Sequence, residues 1–108
     1  MLKFYAVQPG FYQTIRQYPI LLQNLSDISK PQQNQILVSI SQTDLTQSAL
    51  SYFQSAIYEK GCELLFDMQI RQGKCTVKEQ YVELDDENNP FVDLLCRKYP
   101  FHFVCDLE

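Results

Sequence analysis

From Ile36 to Leu107 the chain predicts an α+β fold running strand, helix, strand, strand, helix, strand. Three observations carry this. Apolar residues alternate in Ile36-Val38-Ile40 and again in Leu64-Phe66-Met68-Ile70, the period of a strand with one wet face. Between them Leu45, Ala49, Tyr52, Phe53, Ala56 and Ile57 recur at helical steps of three and four. Asn89-Pro90 and Arg97-Lys98 then bracket a short apolar segment with start and stop chemistry.

The elements follow in order. LKFYAV sets Leu2, Phe4 and Ala6 against Lys3, Tyr5 and Val7 and predicts a first strand. Phe11, Ile15, Tyr18, Leu21, Leu22 and Leu25 have helical spacing, interrupted by Pro19, which kinks one helix or starts a second. Residues 26 to 35 are polar, contain Pro31 and read as a loop. QILVSI is the next strand, and a helix follows from Thr43, its expected cap, to Lys60-Gly61, its expected stop. CELLFDMQIR is a strand, Gln72-Gly73-Lys74 a turn, and CTVKEQYVEL a strand whose broken alternation predicts a bulge or an edge. Asn89 caps a helix with Pro90 in its first turn and Phe91, Leu94 and Leu95 on its apolar side, and Pro100 ends it. FHFVCDL closes the chain as a strand with Phe101, Phe103, Cys105 and Leu107 on one face.

This order resembles the ferredoxin-like βαββαβ arrangement. The resemblance implies a four-stranded antiparallel sheet over residues 34–108 with both helices on one face, residues 1–30 adding a strand and helix at an edge. One domain, 1–108, is expected at this length. Val38, Ile40, Phe53, Ile57, Phe66, Met68, Leu94 and Phe103 are its expected core. Truncating Phe53 or Phe66 to alanine should then cost about 3–5 kcal/mol.

Composition excludes several functions. The net charge is −4, whereas a nucleic-acid domain carries a basic stripe, so direct nucleic-acid binding is not expected. No 18-residue apolar run and no basic-then-apolar leader occur, and a cytoplasmic protein without membrane contact is expected. Gly10, Gly61 and Gly73 are the only glycines and each is isolated, which removes phosphate-cradling loops. Cys62, Cys75, Cys96 and Cys105 form no CxxC pair, so free thiols are expected and no metal or cofactor is assigned. Cys75 is expected near Ile70 in the hairpin, too far from Cys62 to bridge. His102 is the single histidine, and an enzyme would have to be built on it with Asp67 and Asp106. The simpler reading leaves all three as surface residues.

The strongest functional signal is charge. Between Glu79 and Cys96 stand six acids, Glu79, Glu83, Asp85, Asp86, Glu87 and Asp93, with no Lys, Arg or His, so the remainder of the chain is net positive. Such a cluster focuses negative potential and raises encounter rates with a basic partner. Seven tyrosines and seven phenylalanines exceed what one small core holds, and Tyr81 and Tyr99 flank the acidic run as candidate anchors. The expected function is that of a small non-enzymatic inhibitor of immunity or antitoxin type. It would neutralise a basic protein partner, a nuclease toxin or a nucleic-acid-handling complex. The alternative is a ligand-binding or sensor module dimerising through its sheet.

Overall fold

The computed structural model describes residues 2–53, 57–61, 63–68, 71–85 and 89–106, and among these the side chains of residues 26, 57, 58, 66–68, 71, 72 and 106 lie outside the description. Strand β1 (Leu2–Ala6) is followed by helix α1 (Pro9–Gln17), a short α2 (Ile20–Gln23), a 3-10 turn over Leu25–Asp27 and α3 (Lys30–Ile36). Next come α4 (Gln42–Phe53) and the strands β2 (Ile57–Lys60), β3 (Glu63–Met68), β4 (Arg71–Val77) and β5 (Val82–Leu84). Helix α5 (Pro90–Lys98) and strand β6 (His102–Asp106) complete the chain. The protein is thus α+β, with all described strands in one six-stranded antiparallel sheet of order β2-β3-β4-β5-β1-β6.

The sheet lies between two helical layers. Because alternate residues of a strand face opposite sides, β1 supplies Phe4 and Ala6 to one core and Tyr5 to the other, with Val7 continuing it. On the first side these residues join Leu64, Cys75, Val82 and Leu84 beneath α4 and α5. On the second, Tyr5 and Val7 meet Ile15 of α1, Leu22 of α2, Leu25 and Leu37. A strand covered on both faces belongs in the interior of a sheet.

This arrangement departs from the expected four-stranded sheet with helices on one face. The amino-terminal strand is not an edge addition: it pairs with β5 on one side and β6 on the other. Nor is Ile36–Ile40 a strand. Ile36 ends α3, Leu37 makes a single bridge to Val7, and Val38 N–H donates to the Ala6 carbonyl at 2.9 Å. The alternation is real but has another cause. Leu37 belongs to the second core, while Val38 and Ile40 pack against the first, because this segment carries the chain from one helical layer to the other.

Other boundaries also move. Within the expected loop 26–35, α3 begins at Lys30 with Pro31 in its first turn, and the Gln33 amide donates to the carbonyls of Leu25 and Ile28 at 2.6 and 2.9 Å. The α4 cap is Ser41 rather than Thr43, its hydroxyl accepting the Asp44 N–H at 3.4 Å. That helix stops at Phe53, and Ile57–Lys60 is strand. Gly61 therefore serves the link from β2 to β3, where its φ of +62° suits a residue without Cβ, instead of stopping a helix. Gln72-Gly73-Lys74 is not a turn but lies inside β4, with Gly73 opposite Phe66. The expected strand from Cys75 to Leu84 is split by the Lys78–Tyr81 corner, closed by Lys78 N–H donating to Tyr81 O at 2.9 Å. Cys75 faces Leu64, not Ile70, and Cys62 is outside the described residues.

Of the expected core, Leu94 is buried, while Val38, Ile40 and Phe53 are half-buried against the first cluster and Phe103 against the second. The side chains of Ile57, Phe66 and Met68 lie outside the description. The fully buried large residues are instead led by Phe4 and Phe91. Helix α5 forms as expected, with Asn89 Oδ1 accepting the Phe91 N–H at 2.8 Å, and Lys98 bonds Ser48 of α4 at 2.9 Å.

Candidate functional site

The acidic run is dispersed along β5 and into α5. Glu79 is exposed in the Lys78–Tyr81 corner and pairs with Lys30, whose ammonium pKa is raised by that hydrogen bond and charge. Glu83 is half-buried in the middle of β5, with Lys3 opposite on one neighbour and Thr76 on the other. Asp85 is exposed just past β5 and accepts from the Asn89 amide. Asp93 lies exposed in the first turn of α5, favoured there by the positive end of the helix dipole. Asp86 and Glu87 are outside the described residues. The two candidate anchors separate: Tyr81 packs with the second core, its ring 5.5 Å from Tyr5, and Tyr99 with the first, 6.3 Å from Phe4.

The sheet brings one further acid to the run. Leu2 at the start of β1 is opposite Leu84 on one side and Asp106 on the other. With strands about 4.8 Å apart, the ends of β5 and β6 stand about 10 Å from each other. Asp85 and the backbone position of Asp106 therefore share one end of the sheet, and the acidic positions 86 and 87 adjoin it in sequence. Sequence spacing separates Asp85 from Asp106 widely; only the insertion of β1 between β5 and β6 joins them.

An acid–base constellation of Asp67, His102 and Asp106 is not assembled. Asp67 is on β3 and His102 on β6, with β4, β5 and β1 between them, a lateral separation of about 19 Å. His102 has a local role: its ring stacks on Phe4 at 5.1 Å and its Nδ1 lies 2.6 Å from the Tyr99 carbonyl. Among the described residues no group of three or more His, Cys, Asp or Glu gathers in metal-binding geometry.

A second feature escapes any reading of local sequence. A cleft of about 680 Å³ opens on the second face of the sheet, between β1 and β6 below and α2 above. Its floor is Lys3, Tyr5, Phe103 and Cys105, with Tyr81 and Leu22 at the sides. Lys3 stands between Glu83 and Cys105, and its Nζ lies 4.8 Å from the centre of the Tyr81 ring. Tyr5 is nearly buried, and that burial, with Cys105 and Tyr81 adding, pushes its phenol up to about 12, so it stays a neutral donor.

Thiol chemistry follows from the same burial. Cys75 is fully buried, and burial reinforced by the Asp85 charge pushes its thiol up to about 12. Burial also raises the thiols of Cys96 and Cys105, with Lys3 opposing the rise at Cys105. Cys75 should be the slowest of these three to alkylate at pH 8, and mass-mapped labelling that finds it as fast as Cys96 would contradict its burial. Since folding favours the neutral forms of Cys75 and Tyr5, their contribution is complete below the ordinary thiol value of 9.0. It should be lost as pH rises from there toward about 12, which urea unfolding along an alkaline series would show.

No protein-family model matches the chain, and neither a curated protein nor a solved structure does so. What fold and site define is a class: an α+β protein whose six-stranded antiparallel sheet, flanked by helices on both faces, sets Asp85 and the end of β6 at one end and carries a cleft in which, among the described residues, Lys3 is the one charged lining residue. Among the described residues no helix is long and apolar enough to cross a membrane.

Proposed function

We propose that this chain is a small cytoplasmic binding protein that neutralises a basic partner, as immunity proteins and antitoxins do, by presenting the acidic end of its sheet. The partner class is a nuclease toxin or a nucleic-acid-handling protein, whose phosphate-binding surface supplies the complementary charge. The observation that carries the reading is the meeting of Asp85 and the end of β6 around the start of β1, next in sequence to Asp86 and Glu87. Asp85, Asp86, Glu87 and Asp106 together equal the chain's whole net charge of −4, so their gathering would make the field polar and orient the encounter. Tyr81 and Tyr99 lie on opposite sides of the sheet and toward its other end, beside Tyr5 and ahead of the His102–Ala6 pair, so a partner held at the acidic end would have to extend along the strands to reach either.

The test is affinity capture from the native host, followed by association kinetics with the captured basic protein at two salt concentrations. Replacing Glu83, Asp85, Asp86 and Glu87 together by Gln and Asn should lower the association rate and flatten its salt dependence. Stability should change by no more than about 1 kcal/mol, because an amide at position 85 still accepts from Asn89. Unchanged association at both salt concentrations would reduce the acidic run to a solvated loop. Capture of small molecules alone would favour the ligand-binding alternative.

A further inference from the structure

We infer that the cleft on the second face of the sheet is a binding site for a small organic monoanion, a carboxylate carried on a flat apolar or aromatic body. Three observations converge on that chemistry. The volume, about 680 Å³, lies within the usual range of small-molecule sites. Its lining is mainly apolar and aromatic, and among the described residues Lys3 is the one charged residue in it. Among the described residues Lys3 makes no ion pair; its ammonium rests over the Tyr81 ring, an arrangement that leaves donors for an incoming carboxylate.

The surroundings settle the sign and shape of the ligand. Glu83, opposite Lys3 on β5, lines the neighbouring hollow with Lys74 and Lys78 and does not line the cleft. Phe103 is the register partner of Tyr5 on β6 and has one face stacked on Tyr12, while Tyr81 stands beside Tyr5 in the corner before β5. With Leu22 and Leu25 of the helical layer these rings give the cleft an aromatic and apolar lining suited to a planar body. Gln23 and Gln80 contribute neutral amides that suit polar substituents on that body. A dianion would meet a single positive charge, and the Glu83 carboxylate beside Lys3 on the same face would disfavour the second negative charge further. The match is to one negative charge.

The probes are 2-naphthoate and its uncharged counterpart 2-naphthamide, titrated into the 15N-labelled chain at pH 7. Saturable shifts of the Lys3, Tyr5, Tyr81 and Phe103 amides are expected, with the naphthoate binding at least about 10-fold more tightly than the amide, as one charge-assisted contact confers. Lys3→Met keeps the apolar stem and should bring the two affinities together, whereas Lys78→Met, outside the cleft, should leave their ratio as it was. Leu22→Trp should fill the cleft and weaken both probes. Equal affinity of the two probes for the native chain, or no saturable shift at these amides up to millimolar concentration, would overturn the inference. So would a preference for the anion that persists in Lys3→Met. The comparison on the native chain decides the matter even if a variant fails to fold.

Discussion

Phe4→Ala is expected to lower the unfolding free energy by about 3–5 kcal/mol, the range for removing a fully enclosed phenyl ring. Phe4 is completely buried in the interior strand β1, where Val82 on β5 and Val104 on β6 are its register partners. Its ring also supports the stacked His102 and the neighbouring Tyr99, so truncation leaves a cavity walled by elements that α5 and the sheet both hold in place. Phe53→Ala should cost less, because that ring is half-buried and contacts Phe91 edge-on at 5.7 Å. Urea unfolding of the two variants measures the difference. Equal losses would contradict the central place given to β1.

Gly73→Ala should be the second severe substitution, by about 2–4 kcal/mol, even though alanine normally suits a strand better than glycine. A Cβ at Gly73 would stand 2.7 Å from Asn89 Oδ1 and 2.9 Å from Pro90 Cδ. Asn89 has no room to retreat. It is 3% exposed, caps α5 through Phe91 N–H, and donates to the Lys74 carbonyl at 2.7 Å and to Asp85. Displacing it removes a cap worth about 1 kcal/mol and strands a carbonyl of β4. Gly10→Ala is the control: nothing lies within 4 Å of that Cβ, and the exposed change in α1 should be neutral or mildly stabilising. A Gly73→Ala midpoint equal to that of Gly10→Ala would show that the Asn89 clamp yields.

What local sequence encodes here is the set of elements with their own start signals. Asn89-Pro90 announces α5, the alternation of Leu64 and its neighbours announces β3, and the amino-terminal pattern announces β1. What it hides is pairing. Nothing in LKFYAV says that it will be buried on both faces between β5 and β6, because that depends on helices α1 to α3 covering Tyr5 and Val7 from one side and α4 and α5 covering Phe4 from the other. Gly73 reads as a turn by composition, yet its function is to let Asn89 approach β4, a contact made 16 residues downstream. The polar segment ahead of Ile36 reads as a loop because Gln33, which ties it down, does so through backbone carbonyls that carry no sequence signature.

The candidate sites divide in the same way. The charge run from Glu79 to Asp93 is visible as composition, but the addition of Asp106 to its sheet end, and the parting of Tyr81 from Tyr99, follow from strand order. The cleft is assembled from β1, the Tyr81 corner, α2 and β6, and Lys3 looks in isolation like the outward residue of an edge strand. Register alone sets it between Glu83 and Cys105.

The most direct test of the proposed binding function maps the footprint of the captured basic partner on the 15N-labelled chain by line broadening and shift changes at two salt concentrations. The predicted result is a set of perturbed amides centred on Leu2, Leu84, Asp85, Cys105 and Asp106, where β5 and β6 end beside β1, shrinking as salt rises. A footprint centred on the exposed Leu50 and Tyr52 of α4, or one indifferent to salt, would contradict it.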